Sequence, residues 1–257
     1  MCLLILLSRV CDDAPLVVAA NRDERLDRPS EPMTILRDSN PRIIGGRDLQ
    51  AGGTWLAVNE HGVIAGVTNR PTVTGQDPTK RSRGELPLVC ATQSSATQAV
   101  ATLAETIRPL EYNKAWLLVA DRNDAFAVGI DAEHGPVVRS LGPGVHVLEN
   151  RPFGAPSPKI DHIRAILGDV RWSHLDDAVT ALRSVLSNHA VPTGPSAAAE
   201  AGRSDIPLEV GAACVHTPEY GTRWSAIVTV PTAGRPTMSY AAGAPCSHPF
   251  TSRLVAP

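Results

Sequence analysis

The chain has 257 residues, of which 43% are hydrophobic and 19% charged, with a formal net charge of −2. That is an ordinary globular composition with enough apolar material for a sizeable core, and the length fits one domain over 1–257. The near-balanced charge, with no Lys/Arg run, excludes nucleic acid and anionic membrane surfaces as expected partners.

Five cysteines (Cys2, Cys11, Cys90, Cys214, Cys246) form an odd set with no C-x-x-C and no Cys/His cluster at metal spacing along the chain. This argues against a disulfide framework and a structural zinc, so no metal is expected and a reducing, cytoplasmic location fits. The apolar start, residues 3–7, lacks a basic flank and is interrupted by Arg9 and Asp12, unlike an export signal. No run reaches the ~18 apolar residues of a membrane span.

In chain order, residues 2–10 and 16–20 read as two strands apolar on both parities, hence buried between layers, joined by the turn CDDAP. A turn flanked by Val10 and Pro15 predicts an antiparallel pairing of Leu7 with Val18 and of Cys2 with Asp23. TWLAVNEHGVIAGVTN reads as a second hairpin whose register brings Gly53 near Asn69. An amphipathic helix is predicted over 94–107, stopped by Pro109. Strands follow at AWLLVAD, AFAVGID, PVVRSL and VHVLEN, then helices over 159–167 and 176–187. Residues 191–207, rich in Pro and small side chains, read as a flexible excursion before strands at AACVH, WSAIVTV and TMSYAAG. Strands, helix, strands, two helices, strands is the order of an α+β fold in which helices cover the outer faces of two stacked, mostly antiparallel sheets.

Cys2 stands directly behind the start methionine. If Met1 is removed, its thiol lies beside an α-amine of pKa near ~7.7–8.0, a base matched to ambient pH and attached to the nucleophile itself. Asp23 and Asn21, which share a strand face, would position the charged amine, while Arg22 points to the other face. Asn69 and Asn150, each ending a strand before Arg-Pro, are candidate oxyanion donors. Arg223 could pair with Asp23 or grip a substrate carboxylate, and Trp55 could wall a pocket or simply pack.

MC at the start, AANRDERLDRPSEP, GGRDLQAGGTWLAVNEHGVIAGVTNRP, KRSRGEL and EYGTRWS, in that order, resemble the NRDE family, also called the transport and Golgi organisation protein 2 family. The resemblance implies the four-layer α/β/β/α sandwich of N-terminal-nucleophile hydrolases. In the penicillin-acylase and bile-salt-hydrolase branch, the cysteine after Met matches Cys2, the early aspartate Asp23, and the two oxyanion asparagines Asn69 and Asn150. A late arginine of that branch matches Arg223. The branch's R-N-x-D places arginine where this chain has Ala20; here the arginine is Arg22, on the opposite strand face, and it is the candidate substrate-binding residue in that place. The implied activity is hydrolysis of a small acylated amine or linear amide without a cofactor. Family associations with haem mobilisation and with acyl-CoA or lipid metabolism imply the alternative of a carrier that binds haem or an acyl ligand in the same cleft without turnover.

Overall fold

The computed structural model describes residues 2–255 except 73, 74, 132–134, 197, 198, 200, 201 and 203–205, with the backbone alone at 253 and 254. β1 (Cys2–Ser8) and β2 (Leu16–Arg25) lie at the heart of a six-stranded sheet. Its order is β10-β1-β2-β11-β12-β13, with β10 at Gly144–Leu148, β11 at Tyr220–Val230, β12 at Thr237–Ala241 and β13 at Thr251–Leu254. The second sheet runs β3 to β9 in chain order: Ser30–Arg37, Ile43–Asp48, Leu56–Asn59, Ile64–Asn69, Ala115–Ala120, Ala125–Asp131 and Gly135–Ser140. Every pairing within the two sheets is antiparallel.

Strand pleat converts this order into layers, because successive side chains point to opposite faces. Leu4, Leu6, Leu16, Val18 and Ala20 meet Ile44, Leu56, Val58, Ile64 and Leu118 of the other sheet in a shared core. The odd-numbered Leu3, Ile5, Leu7, Val17 and Ala19 face outward onto α3 (Pro158–Leu167) and α4 (Leu175–Leu186). On the far side, Val63, Ala65, Val67, Leu117 and Val119 pack on α1 (Glu85–Ala91) and α2 (Ala96–Thr106). The fold is therefore a four-layer α/β/β/α sandwich. β1 and β2 are apolar on both parities because both of their faces are covered.

The first hairpin corrects the expected register by one residue: Leu7 pairs with Val17, and Cys2 with Arg22. The closing bond runs from the Arg9 N–H to the Pro15 carbonyl at 2.8 Å, with Arg9 at φ 54°. Val10 is not available to close the turn, since its carbonyl accepts from the Trp172 N–H at 2.8 Å and Cys11 bridges to Trp172 in the α3–α4 connection. The second hairpin pairs Leu56 with Gly66, the register its sequence predicts.

β3, β4 and α1 have no counterpart in the sequence reading, and AACVH is a bend carrying an isolated bridge from His216 to Gly221 rather than a strand. β3 is the edge strand, where Pro32 withdraws no bond from a neighbour on its outer side. Of the excursion expected over 191–207, residues 197, 198, 200, 201 and 203–205 lie outside the described residues. No helix among the described residues is long and apolar enough to cross a membrane.

Two glycines seat α1 against the segment that leads into β5. A Cβ on Gly53 would stand 2.5 Å from the Gly84 carbonyl carbon, and the Thr54 N–H donates to Gly84 O at 3.0 Å. Backbone thus packs on backbone where any side chain would separate them. Gly53→Ala is expected to lower stability by about 1–3 kcal/mol in urea unfolding. Gly142→Ala, whose Cβ meets nothing within 4 Å, should stay within about 0.5 kcal/mol.

Candidate active site

At the open end of β1 the sheets enclose a cavity of about 630 Å³. Cys2, Arg22, Asp23, Trp55, Asn69 and Asn150 all line it. The register explains why: Cys2 and Arg22 are opposite each other and share the even-numbered face that looks toward the second sheet. Cys2 is partly exposed, whereas Leu3 to Leu7 behind it are buried.

The surroundings of the Cys2 sulfur act in opposite directions on its thiol. Burial pushes its pKa up and the Asp23 carboxylate adds to that, while the Arg22 guanidinium and the Asp23 main-chain N–H favour the thiolate. Asp23 is itself buried, which pushes its carboxyl up against the opposing pull of Lys159 and of a hydrogen bond from Thr222. The Thr222 hydroxyl donates to Asp23 Oδ1 at 2.6 Å, and the Tyr220 hydroxyl donates to the Asp23 carbonyl at 2.6 Å. Two side chains of β11 therefore fix both the carboxylate and the main chain of this residue.

Asn69 and Asn150 reach the cavity from different sheets and are tied together. The Thr68 hydroxyl donates to the Glu149 carbonyl at 2.9 Å, and the Asn150 side-chain amide donates to the Asn69 carbonyl. One amide hydrogen of Asn150 is occupied by that bond, and the other is left to point elsewhere.

Arg22 corrects the sequence reading, which had placed it away from Cys2. It is 3% exposed, donates to Asp48 Oδ2 at 3.1 Å, and lies 4.3 Å over the Trp55 ring. Trp55 in turn meets Trp224 edge-on at 5.3 Å, and a Cβ on Gly46 would collide with the Trp55 ring. Arg22 is thus clamped between a carboxylate and an aromatic face.

Two of the expected residues lie elsewhere. Asn21 does not line the cavity: its amide donates to the carbonyls of Leu186 at 2.9 Å and Ala213 at 2.8 Å, and its carbonyl accepts from Ser225 at 2.7 Å. Odd parity turns it toward the helical layer, where it ties β2 to the end of α4. Arg223 is also absent from the cavity lining, because a bulge between Thr222 and Trp224 takes it out of the ladder. Its guanidinium instead donates to the carbonyls of Arg25, Leu26 and Arg28 at 2.9, 2.7 and 3.1 Å, holding the turn after β2.

The sequence reading missed several wall residues. Asp48 accepts from Arg28 at 2.7 Å and from the main-chain N–H groups of Gln50 and Ala51 at 3.1 and 2.9 Å. Burial works against its charge, but the bonds from Arg28 and Ala51, with the charges of Arg28 and Arg22, hold its carboxyl below the ordinary range. Arg83, from the KRSRGEL stretch, enters the cavity with its pKa lowered by burial to about 10, so it stays cationic at neutral pH. It donates to Gln76 at 2.8 Å and to the Lys114 carbonyl at 3.4 Å; among the described residues it makes no direct ion pair, though the nearby Glu24 carboxylate favours its charge. The motif itself was the available signal. Both of its arginines border the cavity, Arg81 already paired with Glu85 at 2.5 Å and Glu111 at 3.0 Å.

The expectation that no Cys/His group stands at metal-ligand spacing holds along the chain but not in the fold. His189, Cys214, His216 and Cys246 converge, with one candidate ligand atom from each within 4.8 Å of the others. They lie outside the cavity.

A family profile described as Transport and Golgi organisation 2 matches residues 1–240. The chain belongs to this family. The mouse Transport and Golgi organization 2 homolog and its human counterpart are each 30% identical to it, and both alignments cover 87% of this chain and 85% of the relative. Among solved structures, the family's sandwich is shared with a Caenorhabditis elegans N-acylethanolamine-hydrolyzing acid amidase ortholog, at TM-score 0.54 and 13% identity over 88% of this chain and 91% of that one. A mutant of the conjugated bile acid hydrolase of Clostridium perfringens superposes at TM-score 0.50 with 12% identity, covering 98% and 96% of the two chains. At such identities the likeness shows the fold, that of N-terminal-nucleophile hydrolases.

The charges around Cys2 predict how this member of the Transport and Golgi organisation 2 family reacts with thiol reagents. In the chain retaining Met1, alkylation of Cys2 followed by peptide mass spectrometry should have its pH midpoint above that of an unburied cysteine. Asp23→Asn removes a negative charge beside the developing thiolate and lowers the midpoint; Arg22→Met removes a positive one and raises it. Midpoints that fail to move in these directions would show that neither charge faces the sulfur.

Proposed function

We propose that the chain, once Met1 is removed, is an N-terminal cysteine amidohydrolase that cleaves a small acylated amine or linear amide. The observation that carries this reading is the meeting of Cys2, Asp23, Asn69 and Asn150 on one cavity. A thiol at the chain start, an anion beside it and amide donors from two other strand ends are the parts such a reaction needs.

In this reading the freed α-amine takes the Cys2 proton as the sulfur attacks the substrate carbonyl carbon. Asn69 and the unoccupied amide hydrogen of Asn150 stabilise the oxyanion, and Asp23 favours the charged amine. As the C–N bond breaks, the ammonium gives its proton to the leaving nitrogen and a thioester remains. Water, losing a proton to the same amine, then attacks the thioester; acid and amine are the products, and the thiol is restored. Arg83, cationic and in no direct ion pair among the described residues, favours an amide bearing an anionic group.

The rival reading, a haem or acyl-ligand carrier, gains support from the same cations, which suit carboxylate tails. Among the described lining residues, however, there is no histidine, so axial ligation would rest on Cys2 or Tyr220.

The test uses processed protein, verified by intact mass, against a panel of N-acyl amines and N-acyl amino acids. Hydrolysis is expected, with Cys2→Ala at background and Asn69→Ala reduced about 10²–10³-fold in kcat. Activity in protein shown to retain Met1 would remove the amine-as-base mechanism. Tight haem binding lost in Cys2→Ala, with no hydrolysis across the panel, would favour the carrier.

A further inference from the structure

Four potential metal ligands come from three separate segments on the side of the sheet that faces α3 and α4. His189 lies just beyond α4, Cys214 and His216 precede β11, and Cys246 sits in the turn between β12 and β13. The two sulfurs are 3.8 Å apart, and His216 Nε2 is 3.7 Å from Cys214 Sγ and 3.3 Å from Cys246 Sγ. An ion bound tetrahedrally, with bonds of about 2.3 Å to sulfur and about 2.0–2.1 Å to nitrogen, sets its two sulfurs about 3.8 Å apart and sulfur from nitrogen about 3.6 Å apart. A disulfide, at about 2.05 Å, has a different separation; both cysteines are unbridged.

The histidine orientation agrees. His189 Nδ1 lies 3.1 Å from the Cys214 main-chain carbonyl. An N–H donating there fixes the proton on Nδ1 and leaves Nε2 with its lone pair, the outer-shell arrangement found behind metal-bound imidazoles. The His189 and His216 rings stand 5.0 Å apart at 54°, neither stacked nor parallel. Cys246 is held by a turn closed twice on the Ala244 carbonyl, by the N–H groups of Ser247 at 3.1 Å and His248 at 3.0 Å.

We propose that His189, Cys214, His216 and Cys246 form a structural zinc site. Two thiolates and two imidazoles in tetrahedral array suit zinc and are the wrong donors for magnesium or calcium. Four protein ligands leave no open position for water or substrate, so the ion staples rather than catalyses. The loop it holds braces the cavity from behind. Ala213 accepts from Asn21 at 2.8 Å, and the Val215 N–H donates at 2.8 Å to the Thr222 hydroxyl that in turn holds Asp23.

The full chain, purified from zinc-supplemented medium under reducing conditions without chelator, should retain about one equivalent of zinc after dialysis, measured by inductively coupled plasma mass spectrometry. Cys246→Ser and His216→Ala, both at exposed positions, should lose it, and Cys2→Ala should keep it. Cobalt(II) added to the metal-free native chain should give the strong visible bands and sulfur charge-transfer absorption of a tetrahedral thiolate site, a readout independent of whether any variant folds. Chelation should lower the melting temperature of the native chain and leave that of Cys246→Ser unchanged. Trace metal with no cobalt spectrum, a Cys214–Cys246 disulfide forming in zinc-replete reduced preparations, or zinc retained equally by both variants would overturn the site.

Discussion

The arrangement of the cavity depends on one pairing, Cys2 against Arg22 across β1 and β2. Because side chains alternate along a strand, that register sends the sulfur between the sheets, toward Trp55 and the ends of β6 and β10. A shift by one residue would turn it onto the helical layer, among Ile163 and Leu186, where a cysteine is only a small apolar side chain. The register is set at the other end of the hairpin, where Val10 and Cys11 bond to Trp172 instead of closing the turn. A contact with the α3–α4 connection therefore decides what Cys2 faces, with the whole length of β1 between them.

Much of the architecture was readable because burial on both faces leaves a strong mark. Residues 2–7 and 16–20 are apolar at every parity, and the helices show their spacing openly. Asn69 and Asn150 could be found because each precedes a proline that ends its strand. β3 escaped because it is a half-buried edge strand interrupted by Pro32, and β4 because two adjacent glycines break up its short buried run. α1, seven residues long and containing Pro87, carries too little periodicity to declare itself.

The side chains whose direction differs from the sequence reading share a cause: that direction is tertiary. Arg22 turns inward because Cys2 pairs with it, and Arg223 turns away because one residue is extruded from β11. Asp48 and Arg83 lie in glycine-containing stretches whose path depends on close backbone approaches. The Cys/His quartet shows the same limit more sharply. Only C-V-H is local in sequence, and the other two members arrive from segments more than twenty residues away on either side.

The bulge at Arg223 has an effect on geometry beyond the turn that its guanidinium holds. In an evenly pleated strand, residues 222 and 224 would look the same way. With one residue squeezed out between them, Thr222 stands opposite Asp23 while Trp224 stands opposite Arg22, so the two look in opposite directions. A single strand thereby supports the carboxylate from one side and the aromatic clamp from the other, a division of labour that regular alternation forbids.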